Sequence, residues 1–444
     1  MKVQYLLPKD KELEVTYLGK VLADFQTRWL PKLEKNRKYY EGKQNILSKV
    51  ATDTGKPCNK VVVNYCYSIV KNYLGYITGI PITYSNDKFQ DILDVLNYND
   101  VANEDSELLR NALIYGMAYE CNYIDEDAKQ RFRLFDSREC VPIYDNSLNS
   151  ELLYVVRFYE EDLLDEQNQN YIVEVYGPKD VKYYRSGPGF STFNLISEQP
   201  HFYNQCPVTV FALNEDEESI FNQVITLQDA YNELISGSVD DFDAFADAYL
   251  VLKGAIAEDK ELESMKQNRV LMIDQDADAM YLTKDINNTQ IEYLLKTIDE
   301  QIHTISNSPD FSSETFMAQS GIALKYKLIG MENQASSIES NMKKALQRRI
   351  ELISSIISLT GESLWRDVYI KFTRNLPIEV TPSSPDEVVA YRGLVSDETL
   401  LKLLPFVKNP QEELKQLRKQ NEENMNLYSF PDTEEIEGEE ENEQ

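Results

Sequence analysis

The chain has 444 residues, 42% of them hydrophobic, enough for a large core divided into two to four structural units. Its formal charge is -30, with 75 acidic against 45 basic residues, which argues against a protein that grips nucleic acid through its phosphates. Five scattered cysteines without a CxxC pair, and only two histidines, leave little for a zinc site, a disulfide framework or Cys/His and Ser/His catalysis.

The first residues, MKVQYLLPKDKELEV, lack the apolar core and cleavage site of a signal peptide, so a cytoplasmic origin is expected. No run approaches the eighteen or so apolar residues of a membrane span. Residues 10–50 read as helices closing on a basic run, KLEKNRKYYEGKQNI (Lys32 to Ile46), which by itself is a solvated helix face. No G-x-x-x-x-G-K-[ST] occurs: Gly42-Lys43 is followed by Gln44 and Gly55-Lys56 by Pro57, which disfavours an autonomous nucleotide-driven motor. The spacing of apolar residues predicts a helix from Asn59 to Gly79, ended by Gly79 and Pro81.

Two further helical pieces, 89–98 and 102–116, give way to short, aromatic-rich strands between Tyr119 and about Phe211. Turn clusters such as YDNSLNS and RSGPGFST separate them, which predicts an α+β module with an antiparallel sheet.

From Asp216 to Tyr249 the sequence reads as one helix. Asp229, Glu233, Asp240, Asp243 and Asp247 fall within about 40° of one line on a helical wheel. Ile220, Leu227, Tyr231, Leu234, Phe242, Phe245 and Tyr249 cluster opposite. An ordinary amphipathic surface helix accounts for the apolar side. It accounts poorly for the lack of Lys or Arg from 216 to 252, because surface helices usually mix charge signs in i,i+4 pairs. A small α/β excursion follows, and helical periodicity returns from Ile286 to Ser306, so the two helices form a hairpin with a tip.

The stretch SPDFSSETFMAQS (Ser308 to Ser320) is a serine-rich loop opened by Pro309. Beyond it a helix is expected from about Gly321 to Leu359, with a kink at Gly330 and with Arg349 as the one exception among its apolar positions. A strand, DVYIKFTRNLP, comes next. The last helices open at Ser384-Pro385-Asp386-Glu387 and Asn409-Pro410-Gln411-Glu412, and an acidic tail from about Met425 is expected to be disordered.

This layout resembles the portal (head–tail connector) proteins of tailed bacteriophages, in the type carried by long-tailed phages of Gram-positive bacteria. The likeness is carried by RKYYEGKQNI (Arg37 to Ile46), NKVVVNYCYSIVKNYLGYITGIPITY (Asn59 to Tyr84) and ALIYGMAYE (Ala112 to Glu120). SGIALKYKLIGMENQA (Ser320 to Ala335), FTRNLP (Phe372 to Pro377) and VSDETLLKLLPFV (Val395 to Val407) complete it. The resemblance implies an α+β, mostly helical subunit of a ring, a dodecamer, at one capsid vertex. It is assembled in the host cytoplasm and carried in the virion. Its parts would be a wing (1–215, with part of the long helix and FTRNLP), a two-helix stem (216–249 and 286–307), a clip (250–285), a tunnel loop (308–320) and a crown (381–425).

The implied partners are double-stranded DNA passing without sequence preference, a terminase, a head–tail adaptor, and the major capsid and scaffold proteins, with no membrane, no cofactor and no metal. Phe311, Ser312, Ser313, Thr315, Phe316, Met317, Gln319 and Ser320 would face the channel, with Phe311 and Phe316 either meeting DNA or packing on neighbouring loops. Lys325 and Lys327 are either weak phosphate contacts or intersubunit ion pairs and helix-face charge. A ring of the acidic stripe would repel phosphate and let DNA slide. Two rivals stand beside this reading: a capsid connector or scaffold without DNA passage, and a carboxylate-based hydrolase using acids such as Asp240 and Asp243.

Overall fold

The computed structural model describes residues 5–51, 57–85, 90–161, 170–246, 249–253, 278–282, 288–311, 321–357, 366, 368–375, 392–393, 396–402, 407 and 410–427, some of them, such as Lys325, by backbone alone. The chain divides into two compact units, Met1–Asn375 and Leu376–Gln444.

In the first unit, α1 (Val15–Arg28) buries Leu18, Val21, Leu22 and Phe25, the three-and-four spacing of one helix face. That face packs on Val141, Ile143, Val156, Phe158, Val173 and Val175 of a six-stranded sheet. The sheet order is β1 (Tyr5–Leu7), β5 (Cys140–Asp145), β6 (Leu152–Glu160), β7 (Tyr171–Tyr176), β8 (Asp180–Ser186), β9 (Phe193–Pro200). It is antiparallel as expected except at its edge, where β1 runs parallel to β5. Strands β1, β5 and β9 are not anticipated by the sequence pattern.

Alternate residues of these strands, Cys140 and Val155 among them, face the other way. They form a second core with Met117, Tyr119, Cys121 and Val208 of a three-stranded sheet ordered β10 (Val208–Ala212), β3 (Met117–Ile124), β4 (Gln130–Phe135). Helices α2 (Leu30–Tyr40), α3 (Tyr65–Thr78), α4 (Gln90–Tyr98) and α5 (Val101–Tyr115) complete this body. A short strand, β2 (Thr83–Ser85), pairs with β13 (Tyr369–Lys371). Between α5 and β3, Gly116 sits at φ +86°, and a Cβ there would come within 2.1 Å of the Glu217 carbonyl oxygen, so only glycine fits.

Helix α6 (Ile225–Ala246) packs on α7 (Asn288–Ser306), and between them β11 (Tyr249–Lys253) and β12 (Asp278–Leu282) pair antiparallel. The first of these helices is shorter than its sequence pattern: residues before Ile225 form turns and a 3₁₀ segment, Asn222–Val224. Helix α8 (Gly321–Ile357) is one continuous element of 37 residues. The expected break at Gly330 is not seen. That glycine instead admits a close neighbour, since a Cβ would lie 2.6 Å from Asn307 Oδ1. In the second unit, α9 (Asp397–Lys402) packs on α10 (Pro410–Leu427), which opens with Pro at its first position and continues past Met425 to Leu427. The expected capping box at 384–387 lies outside the described residues.

Candidate functional site

Three valines in succession, Val61 to Val63, are poor helix formers, and Asn64 stops any helix there: its side chain accepts the Tyr67 N–H and caps α3. The expected helix from Asn59 therefore begins only at Tyr65, and residues 59–64 form a strap along α6. Every second backbone N–H of the strap meets a side chain of that helix. Tyr65 donates to Gln228 Oε1 (2.9 Å), Val63 to Asn232 Oδ1 (2.9 Å), Val61 to Ser236 Oγ (2.9 Å) and Asn59 to Asp240 Oδ1 (2.5 Å). Gln228 Nε2 returns a bond to the Val63 carbonyl, and Asn232 Nδ2 donates to Gln44. Gln228, Asn232 and Ser236 are fully buried.

This ladder corrects the reading of α6 as an apolar face opposite an open acidic one. The most buried row is polar, while Phe242 is 73% exposed and Leu227, Tyr231 and Leu234 are half-buried. Nor is the acidic stripe open along its length. Asp229 accepts bonds from the Tyr39 hydroxyl (2.7 Å) and Asn45 (3.0 Å), and Asp240 pairs with Lys49 (2.9 Å). The Asn59 N–H and then Lys49 hold the Asp240 carboxyl below its usual range. Glu233 and Asp243 are exposed, although Asp243 accepts one bond from the Asn59 side chain. The partners come from elsewhere in the chain, one cation (Lys49) and three neutral donors (Tyr39, Asn45 and Asn59), which a local window cannot reveal. Asp247 lies outside the described residues.

Helix α3 continues from the strap to the end of α7. Tyr65 wedges between the hairpin helices, its ring edge-on to Tyr231 and His303 and its hydroxyl 2.5 Å from Asp299. About two turns further, Asn72 donates to Ser308 Oγ (2.9 Å) and the Tyr73 hydroxyl to the Ser306 carbonyl (2.9 Å). His303 Nδ1 bonds the Ser308 carbonyl at 2.7 Å; a carbonyl only accepts, so that nitrogen carries the proton. Asn307, at φ +51°, donates to Gln334 of α8. The root of the Ser308–Ser320 stretch is thus immobilised on three sides. Of the candidate channel residues, Phe311 is a half-buried turn residue, while Ser312, Ser313, Thr315, Phe316, Met317, Gln319 and Ser320 lie outside the described residues, as does the Lys325 side chain. Lys327 is solvent-exposed on α8.

Two arginines lock α8 in place. Arg374 of FTRNLP makes two 2.7 Å bonds to Glu332, pairs with Glu339 and covers the Tyr76 ring. Arg349, the exception in the apolar pattern, is fully buried and binds Glu120 (2.8 and 2.6 Å) and Asp105 (2.5 Å). The Tyr84 hydroxyl donates to Asp105 as well, and Phe132 lies under the guanidinium. Burial pushes the Asp105 and Glu120 carboxyls up despite the nearby arginine. The sequence signals for these contacts are slight: a lone arginine at a core position, and four-residue spacing of Gln228, Asn232, Ser236 and Asp240.

These features define a structural subunit, in which buried polar ties rope a helical hairpin and a long helix to a layered α+β body. Comparison with known proteins gives the kind. The family described as "Phage portal protein, SPP1 Gp6-like" matches residues 20–427. The portal protein of Bacillus phage SPP1 is 23% identical over 424 residues, covering 89% of this chain and 81% of its own length. The portal protein of Clostridium phage phiCD119 is 23% identical over 413 residues, with 85% and 89% covered. Among solved structures, a chain titled "Neck of empty GTA particle computed with C6 symmetry" aligns at TM-score 0.43 and 11% identity, over 76% of this chain and 89% of that one. The chain belongs to the phage portal protein family, the head–tail connectors of tailed phages.

Proposed function

We propose that twelve copies of this chain close into a ring at one capsid vertex and that viral double-stranded DNA enters and leaves through its axis. The observation that carries this reading is the family match over residues 20–427, which takes in the hairpin, the 308–320 stretch and the long helix together. The hairpin helices are the stem, the β11–β12 tip belongs to the clip, the layered body is the wing, and α9 with α10 belongs to the crown. Residues 308–320 are the tunnel loop.

Within this reading the acidic lining is smaller than the sequence implies. Glu233 and Asp243 are the described acids of the stripe left to present negative charge to DNA, while Asp229 is tied to Tyr39 and Asn45 and Asp240 to Lys49 and the strap. A lining that repels phosphate prevents the salt-linked binding that Lys and Arg contacts would create, so DNA slides in either direction. Hydrolysis that drives packaging belongs to a terminase docked on the ring, and a head–tail adaptor takes its place after packaging; the major capsid and scaffold proteins surround the wing.

Electron microscopy of the purified chain tests the ring: twelvefold particles with an axial channel are expected, and a monomer or compact dimer at micromolar concentration across several salts overturns it. Deleting residues 311–319 tests the loop, with intact rings but impaired packaging or DNA retention expected. Normal virion DNA content after that deletion removes the tunnel-loop assignment.

A further inference from the structure

We infer that Gln228, Asn232 and Ser236 are positioning residues, which fix the axial register of α6 against the strap and thereby the root of the tunnel loop at Ser306–Ser308. The functional part of this inference rests on the portal reading; the mechanical part stands on the contacts alone.

The ladder works because two periods match. Four residues of helix rise about 6 Å, and two residues of extended chain rise about 6.6 Å. Acceptors at 228, 232, 236 and 240 therefore meet the N–H groups of 65, 63, 61 and 59 in turn. The periodic match invites slippage by one rung, yet the sequence closes both directions. One step one way would bring Pro57, which has no N–H, to Asp240. A step the other way would ask Gln228 to take the Tyr67 N–H, already held by the Asn64 cap. The next helix positions, Val224 and Ala244, offer no side-chain acceptor. Only one register satisfies every rung.

Neutral polar groups suit this task better than an apolar seam. Apolar contact is non-directional and lets a helix slide over its neighbour. Hydrogen bonds weaken steeply with misalignment, so a displaced rung is a lost rung. From the strap the chain passes directly into α3, whose Asn72 and Tyr73 hold Ser308 and Ser306. An axial shift of α6 is thus carried through the strap to the residues from which the loop springs.

The test uses two prolines in the assembled full-length protein. Val61→Pro removes a ladder donor without touching α6. Val62→Pro places the same ring one residue on, where the N–H lies outside the ladder. Hydrogen exchange followed by mass spectrometry should show V61P speeding exchange roughly tenfold in peptides spanning 59–65 and 306–311, the order expected for one lost hydrogen bond. The β5–β9 sheet should be unchanged, and V62P should match the unsubstituted protein throughout. Phage carrying V61P should assemble rings but package or retain less DNA.

If the two prolines behave alike, or 59–65 loosens while 306–311 does not, the coupling is overturned. Ser236→Ala removes the same rung from the helix side and should give the same pattern at smaller amplitude; unchanged exchange there overturns the inference even if V61P fails to fold. Absence of rings from the unsubstituted chain counts against the portal reading and leaves the exchange result standing.

Discussion

Two regions of this protein bury polar side chains against a helix, and they do it in opposite ways. In the layered α+β body, one charge of α8, Arg349, is met by two carboxylates and a tyrosine inside an otherwise apolar core. Along α6, neutral amides and a hydroxyl meet the backbone of an extended strap, one bond per turn. The first arrangement is all-or-none, since removing either sign leaves an uncompensated buried charge. The second is graded, and each rung contributes a small amount with a fixed direction.

The comparison breaks most visibly at Arg349. Arg349→Met should cost about 3–5 kcal/mol, because it strands Asp105 and Glu120 without their partner; urea unfolding checks it, and a loss below about 1 kcal/mol would show the cluster to be less dry than its geometry implies. Next, Asn232→Ala should cost about 2 kcal/mol, as it leaves the half-buried Val63 N–H and the buried Gln44 side-chain oxygen without the bonds Asn232 makes to them. Amide exchange at the strap should rise with it, while the Arg349 cluster stays protected.

Arg374→Ala, at a site where Glu332 remains 42% exposed, should cost only about 1 kcal/mol near neutral pH after allowance for solvent screening. Here pH sharpens the contrast. Arg374, with help from Tyr76, holds the Glu332 carboxyl below its usual range despite partial burial. Its stabilisation is therefore present above the ordinary glutamate range and lost as pH falls through the lowered folded value. The gap in melting temperature between R374A and the unsubstituted protein should close below about pH 4. Asp105 and Glu120 have raised values, so their ionisation opposes folding as pH rises and their burial becomes easier in acid. The smallest effect is expected at Asp240→Asn, which keeps acceptors for Asn59 but loses the Lys49 pair; about 0.5 kcal/mol, read from thermal melts, fits a partly exposed ion pair.

Much of the fold was legible because it is written in local periods. Leu18, Val21, Leu22 and Phe25 mark the buried face of α1, and the alternation of β6 to β8 marks strands of a sheet covered on both sides. What escaped was whatever depends on a partner far along the chain. Val61 to Val63 look like the start of a helix until Asn64 caps α3 and α6 supplies acceptors some 170 residues away. Gly330 looks like a kink until Asn307 is seen lying against it. The stripe at Asp229 and Asp240 looks unpaired until Tyr39, Asn45 and Lys49 arrive from the other end of the body.

The sequence by itself determined most of the element types, the hairpin with strands at its tip, the long helix and, through six ordered motifs, the portal family. Tertiary structure alone decided which polar residues are buried and what they hold. Hydrophobic periodicity repeats every two or four residues and can be read in a short window. A buried hydrogen bond joins two groups at any chain separation, and neither half announces the other until the chain has folded.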